Sequence, residues 1–329
     1  MKPGLLSTPR IMQILLATLI PGFLLQTTLL GSGYMLNLFA AVLAGFATEV
    51  CACWMRQGFS GSSGAQLLQR ATGDASVWVT TVLIVLALPP NIPVGILIFA
   101  VVSGLTIGKH AYGGLGQNIF NPAMVGYAIV LVSFPAALSI WPGSIATAAS
   151  EGASTLASVD GLSGATVLES FKHRSGITVQ EFWQTGHHFG LFGSRNWEWV
   201  NLAYLCGGLV LVWRGIVPWR LPLSFLLTLV LLSALGYDTG SSESLGSPAL
   251  HLFSGGTMLF AFYVLTDPVT CPSSARGQIL FASLIAVTAF VIRAFGAFPD
   301  GLAFAVLLGN LCTPLIDRMD LKPRMQVGT

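Results

Sequence analysis

Long apolar segments, each close to the length of a membrane-spanning helix, follow one another through most of this 329-residue chain. A helix needs roughly 20 apolar residues to cross a bilayer. Ten segments come near this length, some of them short or interrupted by proline or glycine, at residues 11–31, 35–55, 75–91, 93–108, 123–140, 197–213, 219–236, 248–265, 277–294 and 299–317. This pattern predicts an all-α polytopic membrane protein with about ten transmembrane helices.

The low charge content agrees with a chain surrounded by membrane lipid and excludes other classes. Only 9% of the residues are charged and 53% are hydrophobic, whereas a soluble domain is about 25% charged. With a net charge of +2, the chain offers no basic surface for a nucleic-acid partner. The five cysteines lack the paired spacing of zinc or iron–sulfur ligands, so we expect no metal site in this chain alone.

The basic residues predict the orientation of the chain, because short loops rich in lysine and arginine stay in the cytoplasm. With a cytoplasmic N-terminus, 11 of the 15 basic residues lie on the cytoplasmic side. The four on the opposite side are Lys172, Arg174, Arg195 and Arg293. We therefore expect a multi-pass membrane protein with both termini in the cytoplasm.

One long polar loop divides the chain into two halves. It covers residues 141–196 and is expected to be extracytoplasmic, which leaves residues 1–140 and 197–317 as two five-helix units and residues 318–329 as a cytoplasmic tail. The third and eighth spans both end in proline-rich breaks. Because each unit has an odd number of spans, we expect two inverted repeats, an arrangement that in transporters often places a site at the repeat interface.

A string rich in glycine and asparagine interrupts the membrane pattern at residues 113–123. Gly113 and Gly114 allow the backbone to approach a ligand closely, while Asn118 and Asn121 can pair with freed backbone groups or with an amide-bearing ring. Irregular backbone at membrane depth occurs where it is buried in protein or lines a cavity. The alternative interpretation is a cytoplasmic turn in which Asn121 and the proline after it start the fifth helix.

A second string, Asp-Gly-Leu-Ser-Gly-Ala-Thr at residues 160–166, lies in the long loop. By its residue types it is a small-residue turn that presents the hydroxyl of Thr166 in the same short segment as the carboxylate of Asp160. Three histidines lie nearby in the loop, but their positions in the chain do not establish a Ser–His–Asp triad. The residue types alone therefore assign no reaction to this loop.

This second string resembles the flavin-attachment motif of one family of membrane redox subunits. The family includes the RnfD subunit of the Rnf electron-transport complexes and the NqrB subunit of the sodium-pumping NADH:quinone oxidoreductase. The string at residues 113–123 and Thr-Asp-Pro-Val-Thr-Cys-Pro at residues 266–272 resemble further signature stretches of that family. The motifs occur in the family's order, the resemblance covers essentially the whole chain, and the short loop and C-terminal tail are more similar to the Rnf branch.

The resemblance implies a covalent FMN that is esterified through its phosphate to the hydroxyl of Thr166. The neighbouring residues that the flavin-attaching enzyme would recognise outside the cytoplasm are Asp160, Ser163, Gly164 and Ala165. Related subunits also hold a noncovalent riboflavin in their membrane part. The candidate residues for such a second flavin pocket are Gly113, Gly114, Asn118 and Asn121.

The resemblance further implies a redox subunit of an Rnf-type complex in the bacterial inner membrane. Such a complex exchanges electrons between NADH and ferredoxin and couples this exchange to the movement of Na⁺ or H⁺. The chain has no Gly-x-Gly-x-x-Gly dinucleotide motif and no cysteine cluster. Other subunits, including an FMN-carrying subunit and iron–sulfur subunits, are therefore expected as partners, and no complete catalytic activity is expected from this chain alone.

Two acidic residues are candidates for the ion pathway. Glu49 lies inside the second span and Asp267 at the end of the eighth. A charged group at such a position is costly and by default marks a pathway or an ion pair. The alternative interpretations are a partly hydrated interfacial carboxylate for Glu49 and an Asx-type turn for Asp267.

The spans alone leave two other functions open. An inverted repeat also suits a solute channel or transporter with an architecture like that of urea transporters. A scaffold subunit with an idle loop would show the same hydrophobic pattern. The string at residues 160–166 favours the redox subunit over both, because a channel or a scaffold has no use for a flavin-attachment motif.

Overall fold

The computed structural model describes residues 7–57, 73, 75–141, 167–174, 176–185, 190–298 and 300–320. Throughout these residues the regular structure is helical, and they contain no β-strand. The predicted all-α class is therefore confirmed for the described part of the chain. Outside it lies the string at residues 160–166, with the candidate residues Asp160, Ser163, Gly164, Ala165 and Thr166.

The first part of the described chain contains α1 (Thr8–Leu30), α2 (Gly33–Gln57), α3 (Ser76–Ala87), α4 (Val94–Ser103), α5 (Pro122–Ser133) and α6 (Pro135–Leu138). After α4 the chain continues as a π-helical segment, Gly104–Lys109, and a 3₁₀ turn, His110–Tyr112. The two prolines at positions 89 and 90 end α3, because proline supplies no N–H to continue the helix.

The second part contains α7 (Val167–Lys172), α8 (Val179–Thr185), α9 (Trp197–Trp213), α10 (Arg220–Leu235), α11 (Pro248–Phe253), α12 (Thr257–Leu259), α13 (Ala275–Phe295) and α14 (Leu302–Asp320). A π-helical segment, Phe260–Val264, extends α12. The predicted eighth span is therefore broken, since the chain turns between α11 and α12 at Gly255, whose φ of 59° lies in the left-handed region that favours glycine.

Five helical stretches among the described residues are long and apolar enough to cross a membrane: Thr8–Leu30, Gly33–Arg56, Val94–Tyr112, Ala275–Phe295 and Leu302–Met319. Each of the other predicted spans contains at least one shorter helix. Large apolar side chains stay exposed along these helices, among them Phe39, Leu43 and Leu231. Apolar exposure on this scale is unusual for a soluble monomer, so the chain is a multi-pass membrane protein.

Close helix packing in the first half depends on glycine. A Cβ built on Gly104 would lie only 2.7 Å from the carbonyl oxygen of Pro122, and one built on Gly126 would lie 3.2 Å from the Cα of Gly104. Small residues at such positions let helix backbones approach each other in a membrane. The start of α5 is therefore held directly against the π-helical segment after α4.

The helices pair in the same order in both halves. In the first half, α2 packs on α3 and α4, and α4 packs on α5; in the second half, α10 packs on α11 and α13, and α13 packs on α14. The two halves meet through α1 against α9 and through α5 against α14. This arrangement places α3 and α5 in the interior, where both helices connect two cavities.

Candidate functional site

Two cavities formed by described residues lie at opposite ends of α3 and α5. The larger cavity has a volume of about 380 Å³ and is lined by Ala87 from the end of α3. The smaller cavity has a volume of about 130 Å³ and is lined by Ser76 from the start of the same helix. The two walls come closest along α3 at Leu83 and Leu86, which are about 4.5 Å apart along the helix axis because a helix rises about 1.5 Å per residue.

Aromatic and aliphatic side chains form most of the wall of the larger cavity. Tyr127, Trp141, Trp197 and Phe298 contribute aromatic surface, and the rings of Trp141 and Trp197 meet edge to face with centroids 5.3 Å apart. Val167 also lines this cavity, and it directly follows Thr166 in the sequence. A volume within about 300–1,000 Å³ and an apolar wall with few polar groups are typical of cofactor pockets.

Two serine hydroxyls at the larger cavity have no hydrogen-bond partner among the described residues. Ser194 and Ser254 both line it, and each is only 1% exposed. The Oγ atoms of both residues are buried and unpaired. Buried polar groups in proteins are almost always hydrogen-bonded, so these two hydroxyls are candidates for hydrogen bonds to a ligand in the cavity.

Two side chains of α9 hold the loops that carry these serines. The carboxylate of Glu198 accepts hydrogen bonds from the backbone N–H groups of Leu191, Phe192 and Gly193 at 3.0, 3.0 and 3.1 Å. One helical turn later, Asn201 donates to the carbonyl oxygen of Gly255 (2.8 Å) and accepts from the N–H of Met258 (2.9 Å). Both serine-bearing segments are therefore fixed to the same face of one helix.

The short helix α7, which begins directly after Thr166, is anchored to the rim of the larger cavity. The Lys172 ammonium donates to the carbonyl oxygens of Ile292 and Phe298, both at 3.2 Å, and to that of Gly296. Burial lowers the pKa of Lys172, an effect that the carboxylate of Glu169 opposes. These contacts connect α7 to the loop between α13 and α14, which also forms part of the cavity wall.

A buried arginine lies behind the same wall. Arg293 donates through Nε and Nη2 to the two carboxylate oxygens of Asp300 at 3.2 and 3.3 Å. Its other contacts are with the carbonyl oxygen of His251 (3.0 Å) and the hydroxyl of Thr257 (3.0 Å). Asp300 lines the larger cavity, so this ion pair links α13, α12 and the start of α14 at that site.

The structure places Asn118, Asn121 and Asp267 together in the wall of the smaller cavity. The side-chain oxygen of Asn121 caps α5, and its Nδ2 donates to Oδ2 of Asp267 at 3.4 Å. The Oδ1 atom of Asn118 is buried and has no partner within the described residues. Two of the four residues predicted for a second flavin pocket, Asn118 and Asn121, therefore line one cavity with Asp267.

The glycines predicted for the same pocket have a different position. Gly113 and Gly114 are not among the residues that line the smaller cavity. The carbonyl oxygen of Gly113 accepts a hydrogen bond from Arg56 at 2.8 Å, and φ is positive at both glycines. These two residues form a turn that connects α2 to the start of the string. The role of Asn121 as a helix cap agrees with the alternative interpretation, in which Asn121 and the proline after it start the fifth helix.

Glu49 is the centre of a buried charged cluster beside the smaller cavity. Lys109 donates to Oε1 of Glu49 at 2.7 Å and to the hydroxyl of Ser76 at 2.8 Å. Nε2 of His110 lies 3.0 Å from Oε2 of Glu49. Glu49 is therefore an ion-paired residue in the protein interior.

Asp267 adopts the geometry expected of an Asx turn. Its Oδ1 accepts a hydrogen bond from the backbone N–H of Val269 at 3.1 Å. The residue is at the same time part of the wall of the smaller cavity. A structural role in the turn and a position on a pathway are therefore compatible. The described residues contain no group of three His, Cys, Asp or Glu side chains that could hold a metal ion.

A buried polar network that we did not predict reaches the end of α3. Gln26 donates to the hydroxyl of Tyr34 (2.8 Å) and to the carbonyl oxygen of Leu86 (2.9 Å), and it accepts from the hydroxyl of Tyr204 (2.7 Å). All three side chains are buried. The signal available in the sequence was an amide side chain inside an apolar segment, as with Gln26 in α1 and Asn201 in α9.

Comparison with known proteins places nearly the whole chain in one family. The sequence profile of the NQR2, RnfD, RnfE family matches residues 5–325. A protein of Pseudomonas aeruginosa (strain LESB58) is 42% identical over 319 residues, which cover 94% of this chain and 89% of the relative. A protein of Klebsiella pneumoniae (strain 342) is 39% identical over 332 residues, which cover 94% and 92%. Both relatives are named as subunits, designated D, of an ion-translocating oxidoreductase complex.

Proposed function

This chain belongs to the NQR2, RnfD, RnfE family, and on that premise we propose that it is a membrane redox subunit of an Rnf-type complex that relays electrons through FMN attached covalently to Thr166. One observation supports this proposal above the others. The residue that directly follows Thr166 lines a cavity of about 380 Å³. The motif that resembles a flavin-attachment site is therefore continuous with a pocket of cofactor size.

The residues present at the larger cavity fit a flavin ring. Its aromatic wall suits the faces of a planar ring system, and two buried, unpaired hydroxyls suit the ring's polar edge. Thr166 would hold the phosphate, and the residues that the attaching enzyme would recognise are Asp160, Ser163, Gly164 and Ala165. FMN bound there would supply electron acceptance and release, while the protein supplies position and electrostatics.

The side chains around the cavity have separate tasks in this proposal. Tyr127, Trp141 and Trp197 exclude water from the redox centre. Lys172 holds α7 against the cavity rim. A group attached to Thr166, the residue before α7, would therefore stay near the cavity. The Arg293–Asp300 pair fixes the wall between α13 and α14.

The names of the relatives support a role in a larger ion-translocating complex. We assign to that complex the exchange of electrons between NADH and ferredoxin coupled to movement of Na⁺ or H⁺, with an FMN-carrying subunit and iron–sulfur subunits as partners. The distribution of basic residues supports placement in the bacterial inner membrane with both termini in the cytoplasm. In this orientation the loop at residues 141–196 and the larger cavity lie on the extracytoplasmic side.

Matching interactions in the two halves support ten spans arranged as two inverted repeats. Near the start of α3, Ser76 accepts from Lys109 in the segment after α4. At the start of α12, Thr257 accepts from Arg293 at the end of α13. The first pair lines the smaller cavity, and the second lies behind the wall of the larger cavity, where Arg293 binds the lining residue Asp300. Opposite positions of this kind fit inverted repeats, and the repeats would correspond to residues 1–140 and 197–317.

For the smaller cavity we propose a role in the passage of Na⁺ or H⁺, with Asp267 and Glu49 as the acidic residues of the pathway. Its volume of about 130 Å³ is below the range of about 300–1,000 Å³ that is usual for organic ligands. A riboflavin beside Asn118 and Asn121 would therefore require neighbouring side chains to move. Release of riboflavin from the denatured, purified protein would establish such a second flavin.

Flavin fluorescence on a denaturing gel tests the central proposal. The chain is expressed in cells that contain the flavin-attaching enzyme, in the parent form and as Thr166→Val, with Thr155→Val as a control in the same loop. We expect fluorescent bands from the parent and the control and a dark band from Thr166→Val. A dark parent band would overturn the proposal, and fluorescence of Thr166→Val would move the attachment to another residue.

A further inference from the structure

The two unpaired hydroxyls of the larger cavity lie on separate segments that come together only in the folded chain. Ser194 precedes α9, whereas Ser254 lies between α11 and α12. Both are buried residues of the cavity wall, and in the part of the chain that the structure describes neither Oγ has a hydrogen-bond partner. An unpaired buried hydroxyl is unfavourable, so two of them in one cavity need an explanation.

The backbone segments that carry these hydroxyls are held in place by contacts outside the cavity. Glu198 binds three consecutive backbone N–H groups just before Ser194. Asn201 binds the carbonyl oxygen of Gly255, the residue after Ser254. The backbone next to both serines is therefore fixed, and a shift of either backbone segment would break buried hydrogen bonds. Such a supporting layer of contacts is what preorganises a binding site.

Two other polar side chains of the same wall, Ser139 and Asp300, have partners within the protein. The hydroxyl of Ser139 donates to the carbonyl oxygen of Ala136 at 2.9 Å, and Asp300 is paired with Arg293. The two serines differ from these residues in having a buried donor that is not used within the described protein. A ligand that fits must bring acceptor atoms to them and a flat apolar surface to the aromatic wall.

We propose that Ser194 and Ser254 donate hydrogen bonds to the carbonyl and ring-nitrogen acceptors of the isoalloxazine ring and thereby set its reduction potential. This inference rests on the proposed attachment of FMN to Thr166. Reduction places additional electron density on these acceptors, so a fixed donor stabilises the reduced ring more than the oxidised ring. The hydroxyls therefore raise the potential relative to a cavity that lacks them.

The test is a redox titration of the purified, flavin-loaded protein. Ser194→Ala and Ser254→Ala are expected to lower the midpoint potential of the covalent flavin, and the double variant is expected to lower it further. Ser139→Ala is the matched control, because its hydroxyl lies in the same wall but already has a partner. Unchanged potentials in both single variants and the double variant would overturn the inference.

Two further measurements separate this inference from the proposed function. Gel fluorescence reports whether the flavin is attached, so a dark band from the parent protein contradicts attachment. A fluorescent band from the serine variants together with an unchanged midpoint potential contradicts only the role of the serines. Infrared spectra of the oxidised flavin should show higher carbonyl stretching frequencies in the alanine variants, since a lost hydrogen bond strengthens the C=O bond. Ser→Cys at either position replaces the hydroxyl by a larger and weaker donor and should give an intermediate potential. A Cys variant with the full alanine shift in both readouts would still support donation, and one with no shift would oppose it.

Discussion

The ammonium of Lys109 lies 2.7 Å from Oε1 of Glu49, and their side chains are only 3% and 5% exposed. The pair connects α2 to the π-helical segment after α4, and Nε2 of His110 adds a second contact at 3.0 Å. Removing one partner of a buried ion pair leaves an uncompensated charge, which is far more costly than removing both. The pair is therefore a structural connection as well as a candidate for ion coupling.

We expect Lys109→Met and Glu49→Gln each to lower the free energy of unfolding by about 3 kcal/mol, and the double variant to recover much of this loss. The recovery arises because the double variant buries no unpaired charge. Unfolding in mixed detergent micelles gives the four free energies of the double-mutant cycle. Additive losses would show that the two groups do not interact.

The same variants separate stability from ion movement. In vesicles that contain the reconstituted complex, Glu49→Gln should reduce Na⁺ or H⁺ uptake more than it reduces flavin content. If Glu49 belongs to the pathway, the double variant should regain stability but not uptake. Asp238→Asn changes an exposed carboxylate and should leave uptake unchanged. Full uptake by the stable double variant would remove Glu49 from the pathway.

Much of the helical framework could be predicted from the apolar pattern, because the need to satisfy backbone groups in lipid leaves few alternatives. Each of the ten predicted segments contains a helix. The breaks were harder to predict, since the eighth segment reads as continuous although Gly255 turns the chain inside it. Its Ser-Gly-Gly sequence was the local signal for this turn.

The contacts of the candidate site could not be predicted in the same way. Glu49 and Lys109 are separated by 60 positions, and nothing in the local sequence indicates that their side chains meet. Ser194 and Ser254 are common residues in short loops, and their burial at one cavity depends on how α9 packs. The family resemblance predicts flavin attachment at residues 160–166, whereas the larger cavity, which Val167 lines, depends on long-range packing.

At the larger cavity, we expect removal of the acid to cost more than removal of the base. The side chain of Arg293 is 1% exposed and that of Asp300 is 25% exposed. Asp300→Asn leaves a buried guanidinium without its anion and should cost about 3 kcal/mol, whereas Arg293→Met leaves a carboxylate that water can reach and should cost about 1 kcal/mol. Unfolding in mixed micelles measures both, and the reverse order would contradict the burial argument.

The Glu198 clamp should control the loop that carries Ser194. Glu198→Gln keeps the shape but replaces one acceptor oxygen by an N–H donor that faces backbone donors, so a cost of about 1–3 kcal/mol is expected. Hydrogen exchange at Leu191, Phe192 and Gly193 should accelerate, while exchange within α13 should not change. Equal protection of the three amides in parent and variant would show that the carboxylate does not hold the loop.

The packing of α4 on α5 gives a test with a control on the same pair of helices. A Cβ at Gly126 would meet the carbonyl oxygen of Ala100 and the Cα of Gly104, both of them backbone atoms. Gly126→Ala must therefore push the helices apart, at a cost of about 1–3 kcal/mol. Gly95 has no atom within 4 Å of a built Cβ, so Gly95→Ala should be neutral or stabilise the protein by about 0.5 kcal/mol through helix propensity. Because α5 runs from the smaller to the larger cavity, only Gly126→Ala should also alter the reduction potential of the proposed flavin. Equal effects of the two substitutions on stability and on this potential would show that the close contact does not position α5.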